Sequence, residues 1–577
     1  MTKALLTGNE AIARGAYEYG VAVTAAYPGT PSTEILENIV KYKEIHAQWS
    51  PNEKVALEVA IGASIGGARA LCAMKHVGVN VAADPLFTFT YTGVNGGLVL
   101  VSADDPGMHS SQNEQDNRTY ARFAKIGLLE PSDSQEAKDM VGHALAISER
   151  FDTPVMLRTT TRISHSKSLV ELKPRQDRTL SEYKKNPRKY VAVPANARVR
   201  RAIKELHLQE MLAFSEQTEL NRIEWADRKI GIVTSGITYQ YVKEALPNAS
   251  ILKLGFTNPL PLKKIAGFAQ QVEQLWVVEE LEPFMEEQIR SAGIRVHGGK
   301  AQLTPIGEYS PSLIRQAILG LETKTKPSAA VPPRPPVLCP GCPHRGVFYV
   351  LRKNRKLVTG DIGCYTLGAM PPLESLDTTI CMGASIPAAL GMEKARPDQA
   401  HNIVAVIGDS TFLHSGITGL VDTVYNGGTT TIIILDNRTT AMTGHQHHAG
   451  TGQRLQGEPA PEVDLIALCH AVGVKRVRVV DPHDLASLDR AIKEETAVRE
   501  PSVIIARRPC ALIVKPTEPR RCVNHDACTG CRMCMGLGCP AISFADKKSS
   551  IDPALCWGCR LCQQVCPFGA IGPEEVQ

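Results

Sequence analysis

No stretch of the 577-residue sequence approaches the roughly 18 to 20 consecutive apolar residues needed to cross a bilayer, so no membrane-spanning helix is predicted. Nor is there a marked excess of one charge. The 64 Lys and Arg oppose 59 Asp and Glu for a formal net charge of +5, too small a bias to point to nucleic acid or a membrane surface as a partner. The opening MTKALLTGNEAIARGAYEYG lacks a continuous apolar segment behind a basic patch. No secretory signal is therefore expected, and the cytoplasm is the predicted compartment. Short-period repeats are missing ahead of the last few dozen residues. What remains is ordinary globular composition, 43% hydrophobic and 21% charged, with chain enough for about four domains at roughly 150 residues each.

The 16 cysteines are unevenly placed, nine of them between Cys522 and Cys566. In a reducing compartment such crowding points to metal ligation ahead of disulfides. CWGCRLCQQVCP, beginning at Cys556, has the spacing C-x2-C-x2-C-x3-C followed by proline, and CTGCRMCMGLGCP, beginning at Cys528, repeats it with four residues in place of three before its Cys-Pro. Thiolates at this spacing wrap one cubane, and the Cys-Pro cysteine reaches across to the neighbouring cluster. One [4Fe–4S] cluster is thus assigned to Cys528, Cys531, Cys534 and Cys566, and the other to Cys556, Cys559, Cys562 and Cys539. A pair of zinc knuckles is the alternative, and Cys522 is left as a spare thiol. Such clusters conduct electrons and generate none, so the source must lie upstream.

Upstream, strand-like runs alternate with helix-like stretches, which predicts α/β blocks with parallel sheets covered on both faces. The predicted domains are 1–190, 205–325, a proline-rich linker at 326–336, 337–515, and a ferredoxin-like tail at 520–577. Between Lys173 and Lys204, eleven Lys and Arg accompany two acidic residues, a segment read as a solvated connector, with a docking patch as the alternative. In the 337–515 block one apolar strand ends in Gly408-Asp409-Ser410, and 28 residues after Asp409 another ends in Asp436-Asn437. Adjacent parallel strands would deliver Asp409 and Asn437 to one carboxyl edge, where such folds bind ligands. A carboxylate and an amide oxygen suit Mg2+, which completes its octahedron with phosphates and water. Glycine at 408 would let the backbone approach a diphosphate, and the helix beyond would offer its N-terminus.

This pattern resembles the thiamine-diphosphate motif, and the resemblance adds further groups. It implies the Thr439 carbonyl as a third Mg2+ ligand, Met382 of CMGASIPAALG as the wedge that bends the cofactor, and Ser410 as a cofactor contact. It also implies a glutamate for the aminopyrimidine ring. Glu58 is preferred, on the expectation that it faces an apolar helix, with Glu53 the competitor.

From YPGTPSTE through DDPGMHSSQNEQDNR, CPGCPHRGVFYVL, GDIGCYTLGAMPP and the tail, the chain resembles the 2-oxoacid:ferredoxin oxidoreductases over essentially its whole length. The fold implied is α/β, with thiamine-diphosphate-binding doubly wound parallel-sheet domains, a transketolase C-terminal-like second block, and a bacterial-type two-[4Fe–4S] ferredoxin domain. The activity implied is oxidative decarboxylation of an aryl-pyruvate such as indolepyruvate with coenzyme A, giving arylacetyl-CoA, CO2 and reduced ferredoxin. The cofactors implied are thiamine diphosphate, Mg2+ and the clusters. A beta subunit is the implied partner, in a heterotetramer of two alpha and two beta chains. Cys339, Cys342, Cys364 and Cys510 resemble the ligands of a third cluster beside the thiamine, the alternatives being a structural turn or a zinc site with His344. Thr30 and Ser32 are placed at the substrate carboxylate or at a helix cap, with Arg118 and His109 as further candidates. His445, His447 and His448 are read as active-site loop residues that handle protons, His445 foremost. A non-oxidative decarboxylase, or an electron-transfer scaffold with a vestigial thiamine fold, remains the rival reading.

Overall fold

The computed structural model describes residues 2–321 and 335–574, which divide into two compact units at residue 329. The predicted linker at 326–336 lies outside the described residues except for Pro335 and Pro336. Among the described residues no helix is long and apolar enough to cross a membrane.

The first unit is built on a seven-stranded sheet. Its order is Phe256–Asn258, Gly127–Leu129, Val155–Thr160, Leu98–Asp104, Ala70–Lys75, Val23–Ala26 and His46–Trp49, all parallel except the first. The central strands are buried on both faces, which is why ALCAMK and LVLVSAD read as apolar runs with no alternation. Chain order reverses between Val23–Ala26 and Ala70–Lys75, and that reversal opens a crevice at their carboxyl ends. A second sheet, in the order Gln274–Val278, Asp227–Ser235, Ala249–Leu254, Asn221–Glu224, is parallel except for its last strand.

Two features differ from the sequence reading. The segment read as a connector is helical over Pro187–Tyr190 and again over Pro194–Gln217, a helix that runs across the predicted boundary at 190–205. Its basic residues are docked, since Lys189 and Arg200 both pair with Asp152 at 2.8 and 2.7 Å. The 205–325 block also lends the strand Phe256–Asn258 to the first sheet, so it is not self-contained.

In the second unit a six-stranded, all-parallel sheet runs Thr378–Thr379, Leu357–Gly360, Ile403–Gly408, Thr431–Asp436, Ser502–Arg507, Arg476–Val480. Numbered along the chain, these strands follow the order 2-1-3-4-6-5, as do the six parallel strands of the first sheet. The tail adds two small antiparallel pairs, Arg521–Val523 with Ile571–Pro573 and Ile542–Ala545 with Lys548–Ile551. Its two four-cysteine segments repeat one backbone path: Gly530 and Gly558, then Arg532 and Arg560, take positive φ at matching places. Leu537, Leu561 and Val565 of the tail share a hydrophobic cluster with Val404 of the large sheet and with Val347 and Leu351 of the helix His344–Lys353.

Candidate functional site

The strands Ile403–Gly408 and Thr431–Asp436 are paired in register, Gly408 beside Leu435, so Asp409 and Asn437 leave the sheet at the same edge. Both are nearly buried. Asp409 Oδ1 accepts the Ser410 N–H and Oδ2 accepts the Arg438 N–H, each at 2.8 Å. The Asn437 side-chain oxygen faces Asp409 Oδ1 at 3.1 Å and the Thr439 carbonyl oxygen at 2.9 Å. Three acceptors so placed repel unless the amide turns over or a cation lies among them. Adjacent oxygens of an octahedron with bonds of ~2.1 Å stand about 3.0 Å apart, so this donor set fits Mg2+ held jointly with a diphosphate. In that orientation the Asn437 Nδ2 points at His344 Nε2, 3.5 Å away. Burial lowers the His344 pKa to about 4, opposed only in part by Asp409. The imidazole is therefore neutral, with a lone pair to receive the amide and fix its orientation.

Gly408 has an unstrained backbone with φ −77°. A Cβ there would come within 2.7 Å of the Tyr365 ring, so the close approach of that ring requires glycine. Ser410 is buried and accepts a hydrogen bond from Thr440 Oγ at 2.9 Å. Beyond Asp409 the helix widens into a π-turn at Phe412–Gly416, a feature common at functional sites.

Of the loop histidines, His448 rather than His445 meets Asp409. Its Nδ1 accepts the Gly450 N–H, which leaves the proton on Nε2, 3.3 Å from Asp409 Oδ2. His445, with positive φ, lies instead 3.8 Å from the Cys510 thiol, and the exposed His447 bonds Thr451. Met382 is half-buried on a loop that sequence reasoning left without support. That support is Asp361, whose two carboxylate oxygens take the N–H groups of Gly383 and Ser385 at 2.9 and 3.0 Å, while Ser415 donates to the Met382 carbonyl.

Cys339, Cys342, Cys364 and Cys510 come together beside this edge. The Cys510 N–H donates to the Asn437 carbonyl at 2.9 Å. Burial raises the Cys342 and Cys364 thiols to about 12 and about 11, and each lies in the field of Cys339. His344 turns toward Asn437 and the Tyr365 ring, which removes it from the zinc alternative.

In the tail, Cys528, Cys531, Cys534 and Cys566 line one hollow, the grouping read from the spacing. The Ser549 and Gly530 N–H groups hold the Cys528 thiol below its usual range. Cys539, Cys556, Cys559 and Cys562 form the companion group, Cys559 and Cys562 both lying in the field of Cys539 and Cys556, with Cys562 raised to about 12 chiefly by burial. Among the described residues no three His, Cys, Asp or Glu side chains close on a single-ion position. Four thiols around a hollow suit a cubane, which is larger than an ion. Cys522 stands apart, exposed, near the Pro573 carbonyl.

The first unit places Thr30 at the carboxyl end of Val23–Ala26, half-buried. Ser32 does not cap the next helix. Its hydroxyl donates to the Gly29 carbonyl at 2.8 Å. Glu58 is 42% exposed and paired with Lys54, so the apolar surroundings expected for it are absent. Glu53, the competitor, is the buried one, at the start of the helix Glu53–Ile65 that Asn52 caps. Five residues separate the two, about 140° around a helix. Gly78 makes room for Glu53, since a Cβ there would lie 2.7 Å from its Cγ. Arg118 is fully enclosed and spent on Asp116, Glu279 and the carbonyls of Glu280 and Glu282. His109 is exposed and bonds Glu308 at 3.1 Å. The cation that sequence reasoning missed is Lys75, 9% exposed, at the end of Ala70–Lys75 and across the crevice from Thr30. Its ammonium donates to the Ser110 carbonyl, its Cβ packs under Gly29, and burial lowers its pKa to about 8 against the pull of Asp105.

Comparison with known proteins gives three family matches. Residues 14–222 match the thiamine diphosphate-binding region of pyruvate flavodoxin/ferredoxin oxidoreductases, residues 361–506 the C-terminal TPP-binding domain of thiamine pyrophosphate enzymes, and residues 550–572 a 4Fe–4S binding domain. The chain is 42% identical to the indolepyruvate oxidoreductase subunit IorA of Archaeoglobus fulgidus over 99% of its own length and 98% of that protein. It is 43% identical to the Pyrococcus horikoshii protein of the same name, over 98% and 96%. A solved 2-oxoglutarate:ferredoxin oxidoreductase from Magnetococcus marinus aligns at 15% identity and a TM-score of 0.46, covering 55% of this chain and 65% of that one.

Proposed function

We infer that this chain, which belongs to the family of indolepyruvate oxidoreductase subunits IorA, carries out ferredoxin-dependent oxidative decarboxylation of aryl-pyruvates, converting indolepyruvate and coenzyme A to the arylacetyl-CoA, CO2 and reduced ferredoxin. As a subunit it works with a partner. The partner is assigned here as a beta chain in a heterotetramer of two alpha and two beta, in the cytoplasm. When bound, thiamine diphosphate supplies a carbon nucleophile for the keto group, and iron–sulfur clusters supply one-electron carriers.

This chain's residues do the rest. Asp409, Asn437 and the Thr439 carbonyl hold Mg2+, with His344 orienting the amide and the His448 ring lying against the carboxylate. Met382 sets the cofactor's bend from a loop pinned by Asp361. Glu53, in place of Glu58, supplies the carboxyl group that faces the aminopyrimidine. The Lys75 ammonium and Thr30 hydroxyl receive the oxoacid carboxylate at the crevice mouth, since Arg118 is occupied by carboxylates. Cys339, Cys342, Cys364 and Cys510 hold a third [4Fe–4S] cluster next to the Mg2+ edge. The observation that carries the reading is the joining of that edge to a thiol group through Cys510 and Asn437, ahead of two further thiol groups in the tail.

The test is iron, acid-labile sulfide and thiamine diphosphate content per chain, with cluster absorbance followed on adding indolepyruvate, coenzyme A and the partner subunit. Bleaching together with about twelve iron per chain is expected, and about eight would confine clusters to the tail. Turnover without bleaching would replace the oxidoreductase reading with a simple decarboxylase.

A further inference from the structure

Arg345 is among the largest fully buried side chains in the protein, at 1% exposure. A guanidinium stays charged at any accessible pH, and enclosing it without a counter-charge costs several kcal/mol. Its partners are all neutral. Nη1 donates to the Leu537 carbonyl at 2.6 Å, and Nη2 donates to those of Leu338 and Cys339 at 2.6 and 3.0 Å. Nε has no partner at all. Among the described residues no Asp or Glu makes an ion pair with it, in contrast to Arg118, which is as deeply enclosed and holds two carboxylates.

Its surroundings belong to two different cysteine-bearing segments, the CPGC turn and the tail. The three carbonyls it grips come from both sides: Leu338 and Cys339 open the turn, and Leu537 precedes Cys539. A four-cysteine iron–sulfur cluster carries net negative charge, and reduction adds another negative charge to it. Two such clusters would provide the counter-charge that the surrounding protein withholds.

We propose that Arg345 is the shared counter-cation of the CPGC cluster and the Cys539, Cys556, Cys559, Cys562 cluster, placed between them to favour the reduced form of each. The assignment rests on the reading of both thiol groups as cluster ligands. It makes Arg345 a positioning and charge-supplying residue that touches no substrate.

The experiment is a redox titration of the holoenzyme with its partner subunit, followed by electron paramagnetic resonance, on wild type, R345Q and R345K. In R345Q the reduction equilibrium of the cluster bearing Cys559 is expected to fall at least tenfold, about 59 mV for one electron, while R345K stays within twofold of wild type. A shift in R345Q below twofold, or equal shifts in R345Q and R345K, would overturn the proposal, because a packing role responds to shape and not to charge. R345K alone decides the question should R345Q fail to accumulate, since it keeps the charge but cannot span three carbonyls. Iron content separates the underlying reading: about eight iron per wild-type chain would remove the CPGC cluster while the tail cluster still reports on Arg345.

Discussion

Two glutamates five positions apart show what a side chain owes to its helix face. Glu53 is enclosed against Gly78, whereas Glu58 points to solvent beside Lys54. E53Q is expected to lower kcat/KM by about 10²- to 10⁴-fold, the usual weight of a positioned proton donor, and E58Q to change it less than twofold, both read by ferredoxin reduction. Lys75 gives a pH signature. Below about 8 its ammonium is charged and meets the oxoacid anion; above that it is neutral and the contact is lost. kcat/KM should therefore fall as pH rises through 8. K75R, which stays charged, should remove that limb, and K75M should raise KM about tenfold or more with a smaller change in kcat. The sequence made Asp409 and Asn437 legible because each ends an unmistakable apolar strand. It hid the choice between Glu53 and Glu58 because EKVALEVAIGAS scatters small apolar residues around the whole helix, leaving its inward face undefined. Lys75 was hidden too, since a lysine closing an apolar run gives no sign that both faces of the strand are covered.

At the scale of elements, the short helix His76–Val81 acts as the wall behind Glu53, and Gly78 is the place where wall and carboxylate touch. Alanine suits a helix interior better than glycine by about 1 kcal/mol. G78A should thus leave the melting temperature within a few degrees of wild type while displacing Glu53 and cutting activity at least tenfold. Scanning calorimetry and steady-state kinetics on the same sample check both halves. Parallel strands and covering helices were readable from apolar runs, but their order was not, because neighbours in a sheet are chosen by long-range packing that no local pattern records. For the same reason the three-residue strand Phe256–Asn258 and its departure to another sheet left no trace.

For the molecule as a whole, the tail is part of the second unit's core and not an appendage. Leu537, Leu561 and Val565 pack with Val347, Leu351 and Val404 across what the sequence suggested was a domain boundary at 515–520. Each such side chain contributes roughly 1.5 to 3 kcal/mol on burial. A chain ending at residue 515 is expected to melt about 10 °C or more below the full-length protein, as thermal unfolding would show. The grouping of the tail thiols was legible because cysteine spacing is a strictly local code. The joining of tail to sheet was not, since it rests on a few apolar residues that any small domain would carry.

The hollow ringed by Cys528, Cys531, Cys534 and Cys566 has a rim in which Cys531 is exposed, with Met533 at 48% and Phe568 at 52% exposure. A rim of apolar groups open to solvent suits the departure of electrons to a docked carrier. It offers equal passage to dioxygen, a small apolar oxidant, so the outermost cluster should be the first part of the enzyme to decay in air. The half-life of activity under oxygen would then be set at Met533 and Phe568, far from the chemistry that it ends.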